Sequence, residues 1–285
     1  MASTGVAGAL RTIQGAASRS GRLLRATFDG GYRPGDAGSA DDVSLTLDGV
    51  AAGYGRRLAI EGITGAFAPG SLTAVVGPNG AGKTTLLNLL AGVTRPRAGR
   101  FQLEGAGAHA IGYMPQVTAI DRQYPISVLE FAALGRWRGF GAFRTPPYEL
   151  LPEVTAALRT VGMHEQATAR IGELSLGQFR RVLFARLIVQ RARLVLLDEP
   201  FAAVDARTTA DLLTLLRAWH EEGRTVIAVL HDIEQVRASF PSTLLLARRV
   251  IAWGETEAVL TGENLAAAGL SGPTSEPRLL RLVPA

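Results

Sequence analysis

The chain has 285 residues and is 47% hydrophobic, enough for one large α/β domain with subdomains, and its lack of cysteine excludes disulfides, thiolate zinc sites and cysteine nucleophiles. Formal net charge is +5, but Arg11, Arg19, Arg22 and Arg25 fall without an acid in the first 28 residues, so most of the basic excess belongs to a tail. No basic helix with interleaved aromatics follows, which argues against a nucleic-acid partner, and no run approaches the roughly 18 consecutive apolar residues of a membrane helix.

Residues 1 to about 40 are rich in Gly, Ala, Ser and Arg and lack periodicity, so they are expected to be a disordered basic tail. Their acid-poor start superficially resembles a transit peptide, without an apolar region or cleavage signal in support. The alternation Val43, Leu45, Leu47 predicts a strand, and Gly53-Tyr54-Gly55 a turn before another at Leu58 to Ile60. Tyr54 either stacks on an adenine ring or plugs a small β-subdomain; its local surroundings alone favour the second.

Leu72 to Val76 predicts a buried strand, and Leu86, Leu87, Leu89 and Leu90 the apolar face of a helix. Between them lies Gly77-Pro78-Asn79-Gly80-Ala81-Gly82-Lys83-Thr84-Thr85, a glycine-rich loop with the spacing and context of a phosphate site. Glycines let consecutive N–H groups turn inward around an anion, and the following helix aims its positive end at the same place. Lys83 is expected to bridge the β- and γ-phosphates while the Thr84 hydroxyl ligates Mg²⁺. It is the only lysine in an arginine-rich chain, and a planar guanidinium does not replace a compact ammonium in such a cradle.

Gly92 and Pro96 break the chain before short strands at Phe101 to Leu103 and Ala110 to Tyr113, and Gln116 follows. Residues 117 to 174 carry helical patterns, Val128 to Leu134 and Val154 to Val161, around a loop at Thr145-Pro146-Pro147, and predict a helical insertion in the α/β core. Leu174-Ser175-Leu176-Gly177-Gln178 opens a strong helix with Val182, Leu183, Leu187 and Ile188 as its apolar face and Arg180, Arg181 and Arg191 polar. Taken alone, Ser175 reads as an ordinary N-cap.

Leu194 to Leu197 predicts a buried parallel strand ending in Asp198-Glu199-Pro200, and ligands of a doubly wound sheet bind at such carboxyl ends. Asp205 fits an N-cap for a helix from Arg207 to Glu222. Thr225 to Leu230 is a further buried strand ending at His231-Asp232, where a lone histidine is often structural. Strands at Thr243 to Leu246 and Val250 to Trp253 and a helix at Glu263 to Leu270 complete the pattern, before a coil tail at 271–285. The four histidines, His109, His164, His220 and His231, are scattered, which argues against a structural metal site.

In this fixed order the motifs resemble the ATP-binding subunit of an ABC transporter, over about Val43 to Leu270. The resemblance implies an α/β fold, a P-loop NTPase (RecA-like) core with an N-terminal antiparallel β-subdomain and an inserted helical subdomain at about 117–174, within one ATP-binding domain at 41–270. It implies ATP and Mg²⁺ as cofactors. Tyr54 would stack on adenine, and Gln116 would approach Mg²⁺ and the attacking water while touching the membrane subunit. Ser175, Gly177 and Gln178 match the signature motif, Asp198 the residue holding the Mg²⁺ shell, and Glu199 the general base. Asp205 falls in the D-loop, and His231 matches the histidine facing the γ-phosphate.

Such subunits resemble head-to-tail dimers in which each ATP lies between Lys83 of one copy and Ser175 with Gly177 of the other. Two ATP would close the dimer and hydrolysis reopen it. The implied partners are a second copy, integral membrane permease subunits that would hold this chain at the cytoplasmic face of the cell membrane, and indirectly an extracytoplasmic metal-binding protein. Leu176 departs from the family, which has Gly there; with Ser175 and Gly177 retained, activity is expected, and Leu176 is expected to alter how closely the dimer closes.

Within the family, Tyr113-Met114-Pro115-Gln116, Asp121, Tyr124-Pro125-Ile126-Ser127-Val128, Leu134-Gly135-Arg136, Arg248 to Ala252 and Glu263-Asn264-Leu265 resemble the zinc and manganese importers, zinc foremost. Haem, siderophore and cobalamin importers share parts of these segments. A soluble ABC ATPase of translation or DNA repair is the contrasting class; one phosphate loop and the short span 117–174 argue against it. Without cysteine or a visible histidine cluster, cargo selection is expected to lie with partner subunits.

Overall fold

The computed structural model describes residues 43–104, 111–136 and 148–270; the expected tails at 1–40 and 271–285 and the loop at Thr145-Pro146-Pro147 lie outside the described residues. β1 (Ser44–Tyr54) pairs antiparallel with β2 (Arg57–Phe67) on one side and β4 (Ala98–Glu104) on the other. β3 (Leu72–Val76), β5 (Ile111–Met114), β6 (Leu194–Asp198), β7 (Thr225–Val229), β8 (Ser242–Ala247) and β9 (Arg249–Glu255) form a second sheet in the order β5-β6-β7-β3-β8-β9. All its pairings are parallel except that of β8 with β9.

Every residue of β3, β6 and β7 is buried, as expected for continuous apolar runs in a sheet covered on both faces. Side chains alternate between two cores: Ala74, Val76 and Val195 point into one, Val75, Leu196 and Ile227 into the other. The β1–β2 hairpin is longer than the strands read from the sequence. Register shifts between Leu47 and Val50 and again before Ala52 and Gly53 break the two-residue alternation, so in and just before β1 only Val43 to Leu47 carries a strand pattern.

The helices are α1 (Lys83–Leu90), α2 (Val128–Ala133), α3 (Leu151–Thr160), α4 (Leu176–Gln190), α5 (Ala206–Glu221), α6 (Ile233–Ser239), α7 (Thr256–Val259) and α8 (Gly262–Ala267). α3 starts at Leu151, ahead of Val154, because Pro152 sits in its first turn, where no N–H is needed. The short α6 follows His231-Asp232 directly, with the Asp232 carboxylate accepting from the Gln235 N–H at 3.1 Å. α8 ends ahead of the expected Leu270, where Gly269 turns left-handed at φ 74°.

α1 lies between the two sheets. Its Leu86, Leu87, Leu89 and Leu90 share a core with Leu45, Leu47, Ile60 and Ile63 of the antiparallel sheet and with Val75 and Leu196 of the parallel one. On the opposite side, α2, α3 and α4 pack together around Phe131 and Phe179, whose ring centroids are 5.4 Å apart. That enclosure corrects one expectation: Arg180 is not on a polar face but only 6% exposed, because it shares a helix face with the buried Leu183, Phe184 and Leu187.

Candidate nucleotide site

Parallel register brings the relevant ends to one edge: Met114 pairs with Leu197, and Val229 with both Asp198 and Val75. The chain then leaves β3 into Gly77, β5 toward Gln116, β6 at Asp198-Glu199 and β7 toward His231. Residues far apart in sequence therefore surround one crevice.

The glycine-rich loop is shaped by its neighbours as much as by any anion. A Cβ on Gly77 would fall 2.0 Å from the Leu246 carbonyl oxygen, and one on Gly82, already at φ 94°, would fall 2.4 Å from Ile60 Cγ2 and 2.6 Å from the Ala59 carbonyl oxygen. Only Gly80, at φ 80°, faces open space. The Ala81 N–H donates to the Pro78 carbonyl at 3.1 Å, and the Ala81 carbonyl accepts from the Arg248 N–H at 3.0 Å. Arg248, itself left-handed at φ 63°, donates its guanidinium to Glu61 at 2.7 Å, tying the loop to β2. Gly82→Ala is therefore expected to destabilise the chain by about 1–3 kcal/mol and to weaken ATP binding, read by denaturant titration and calorimetry.

Lys83 is buried, 6% exposed, and its ammonium donates to the carbonyls of Gly77 at 2.6 Å and Pro78 at 2.9 Å. Burial lowers its pKa, and the charges of Glu199 and Asp198 partly restore it. Asp198 is 1% exposed, and neither carboxylate oxygen has a hydrogen-bond partner among the described residues. Burial pushes its pKa up; the Thr84 hydroxyl pulls it down from outside full hydrogen-bond geometry, Glu199 raises it, and Lys83 and His231 lower it. A buried carboxylate without donors is costly unless a cation answers it. The orphaned oxygens of Asp198 with the Thr84 hydroxyl form a hard, all-oxygen donor set that fits Mg²⁺.

Glu199 lies beside it with φ 52°, a left-handed conformation uncommon outside glycine. His231 Nε2 is 2.8 Å from Glu199 Oε1, and the Gln116 carboxamide is near enough to the same carboxylate to lower its pKa. Burial alone would raise the Glu199 pKa, but the His231 bond, the nearby Gln116 carboxamide and the charges of His231 and Lys83 outweigh it and lower it. Glu199 is therefore ionised throughout the neutral range.

Two residues of this neighbourhood escape sequence reasoning. Arg180 has neither Nε nor Nη1 hydrogen-bonded; burial lowers its pKa and the Glu199 charge raises it. Helical spacing from Leu183 and Leu187 was the available signal. Asn88 carries no motif, yet it joins Tyr54 to Tyr113.

The remaining predicted residues gather elsewhere. Ser175, Leu176, Gly177 and Gln178 line a pocket of about 360 Å³ with Arg181, Ala203, Val204 and Asp205, and no residue of the glycine-rich loop lines it. Ser175 does cap α4: its hydroxyl accepts from the Gln178 N–H at 3.1 Å, and the Gln178 carboxamide oxygen accepts from the Ser175 N–H at 2.8 Å. A Cβ on Gly177 would meet the Ala203 carbonyl oxygen at 3.0 Å, so this glycine permits the close approach of the loop after β6. Asp205 caps α5 through the Thr208 N–H at 2.9 Å, and this bond holds its carboxyl low. Leu176 is 48% exposed and Tyr54 56%. Among the described residues, no group of three or more His, Asp or Glu is placed to hold a metal ion.

The sequence pattern described as ABC transporter matches residues 60–202. A manganese transport system ATP-binding protein of Bacillus subtilis is 38% identical over 225 residues, covering 78% of this chain and 90% of its own. One of Synechocystis is 35% identical over 236 residues, 80% of this chain and 91% of its own. A zinc transport system ATP-binding protein of Treponema pallidum is 33% identical over 229 residues, 79% of this chain and 86% of its own. Among solved structures, an inward-facing ABC transporter assigned to the metal-chelate type matches with a TM-score of 0.70 at 31% identity, over 80% of this chain and 89% of that one. An ATP-binding cassette in its ADP conformation matches at 0.66 and 19% identity, over 81% of this chain and 99% of that one, a likeness of fold alone.

Proposed function

The chain belongs to the ABC transporter family as an ATP-binding subunit, an ATPase coupled to transport, and on that premise we propose that it drives import of a divalent metal ion, zinc or manganese, through separate permease subunits. The observation that carries the hydrolytic part is the orphaned, buried carboxylate of Asp198 beside a Glu199 held by His231, with Gln116 close by. Lys83 uses two ammonium donors within the loop, which leaves the third for a phosphate oxygen. Thr84 and Asp198, with Gln116 close by, would hold Mg²⁺, which when bound neutralises charge on the β- and γ-phosphates.

Glu199, ionised and oriented by His231, aligns the attacking water and accepts its proton late, while His231 also faces the γ-phosphate. Because phosphoryl transfer passes through a loose transition state, such a weak base suffices. The signature residues stand apart from Lys83, which supports a site completed by a second copy. In that reading Ser175, Gly177 and the positive end of α4 from the partner cover the γ-phosphate, and the head-to-tail pair closes on two ATP. Leu176 sits where the two copies would meet.

No helix among the described residues is long and apolar enough to cross a membrane. We place this chain at the cytoplasmic face of the membrane, held there by the permease subunits. The metal reading rests on the manganese and zinc systems of the relatives. Reconstitution with a permease and an extracytoplasmic binding protein tests it: ATPase stimulation by Zn²⁺ or Mn²⁺ is expected. Stimulation by haem, siderophore or cobalamin alone would move the cargo to chelates, the type of the matched transporter structure. No stimulation with any permease would refute the transport role.

A further inference from the structure

Tyr54 ends β1 and is 56% exposed, an unusual position for a large aromatic residue whose hydroxyl is nonetheless held. Asn88 Nδ2 donates to the Tyr54 hydroxyl at 3.0 Å, and the Tyr113 hydroxyl donates to Asn88 Oδ1 at 2.8 Å. Asn88 lies on α1, the helix that begins at Lys83, and Tyr113 is a buried residue of β5, the strand leading to Gln116. Either orientation of the amide preserves both bonds, because each phenol donates or accepts. The backbone beside Tyr54 is held as well: the Arg97 guanidinium donates to the Gly55 carbonyl, and the Arg97 N–H to the Ala51 carbonyl at 2.8 Å.

A ring fixed at both its hydroxyl and its backbone has little rotamer freedom left to lose on binding, so a flat ligand stacking on its face meets a preorganised surface. We propose that Asn88 is a positioning residue for adenine, clamping the Tyr54 ring in its stacking orientation and anchoring it on Tyr113. The inference rests on reading Tyr54 as the adenine platform. Asn88 then links the base end of the nucleotide to the helix that follows the phosphate loop.

The test uses the full chain, with ATP affinity by calorimetry and steady-state turnover for Tyr54→Phe, Asn88→Ala, the double variant and Tyr54→Ala. Tyr54→Phe keeps the exposed ring and removes only the clamp. Each single change is expected to weaken ATP binding and raise KM by about threefold to tenfold, the worth of one hydrogen bond, with kcat little moved. The double variant of Tyr54→Phe and Asn88→Ala is expected to bind no more weakly than either single, since each already removes the Asn88–Tyr54 bond on which the clamp depends. Affinity losses that add, or unchanged affinity in Tyr54→Phe and Asn88→Ala alongside a loss in Tyr54→Ala, overturn the clamp alone. Unchanged affinity in Tyr54→Ala overturns the adenine reading beneath it. Should Asn88→Ala not fold, Tyr54→Phe paired with Tyr113→Phe decides by the same criterion.

Discussion

Glu199→Gln is expected to bind ATP as the parent does and to lose turnover by about 10²- to 10⁴-fold, the contribution of a positioned acid–base group. Glutamine keeps the shape that meets His231, and the left-handed backbone at φ 52° is no harder for it than for glutamate. What it cannot do is take the proton of the attacking water. With chemistry blocked and binding intact, the ATP-bound pair should accumulate as a dimer on size exclusion. Turnover at the parent's rate would remove Glu199 from the base role.

Asp198→Asn is expected to separate stability from function. Its carboxyl is pushed up from the ordinary value of 3.8, chiefly by burial, so the neutral form suits the folded chain better than the charged one. The sign follows from linkage: the penalty is absent below the unfolded pKa, grows as pH rises through the folded pKa, and is complete above it. Asparagine carries no such charge. Without nucleotide, the variant should melt higher than the parent at neutral pH, by roughly 2–4 °C for each kcal/mol relieved, with the gap shrinking as the pH is lowered. Mg²⁺-dependent turnover should meanwhile fall by on the order of a hundredfold or more, since several kcal/mol of charge stabilisation pass through this residue. A lower melting temperature would make the Asp198 charge a structural asset and remove the case for a cation there.

Legibility in the sequence followed the range of the forces involved. The phosphate loop, the buried runs of β3, β6 and β7 and the caps at Ser175 and Asp205 are local, and each announces itself by glycine spacing, apolar continuity or a side chain one turn from its partner. The β1–β2 hairpin was half legible, because its bulges erase the alternation after Leu47. Arg180 was misplaced, since its charge suggested solvent while helical spacing put it among Leu183, Phe184 and Leu187. The clamp at Asn88 had no signal: an asparagine on a helix looks solvated until tertiary folding sets two tyrosines on either side. The convergence of Gln116, Glu199 and His231 depends on strand order, which no local pattern encodes.

The position of α1 between two sheets has a dynamic consequence. Its backbone amides are screened by the antiparallel sheet on one side and the parallel sheet on the other, so their exchange with deuterated solvent requires the two sheets to part. Leu86 to Leu90 should be among the slowest-labelled amides of the chain, with an opening free energy close to that of global unfolding. The helix that follows the glycine-rich loop would then be one of the most rigid parts of the molecule, and any opening of the crevice must come from the elements around it.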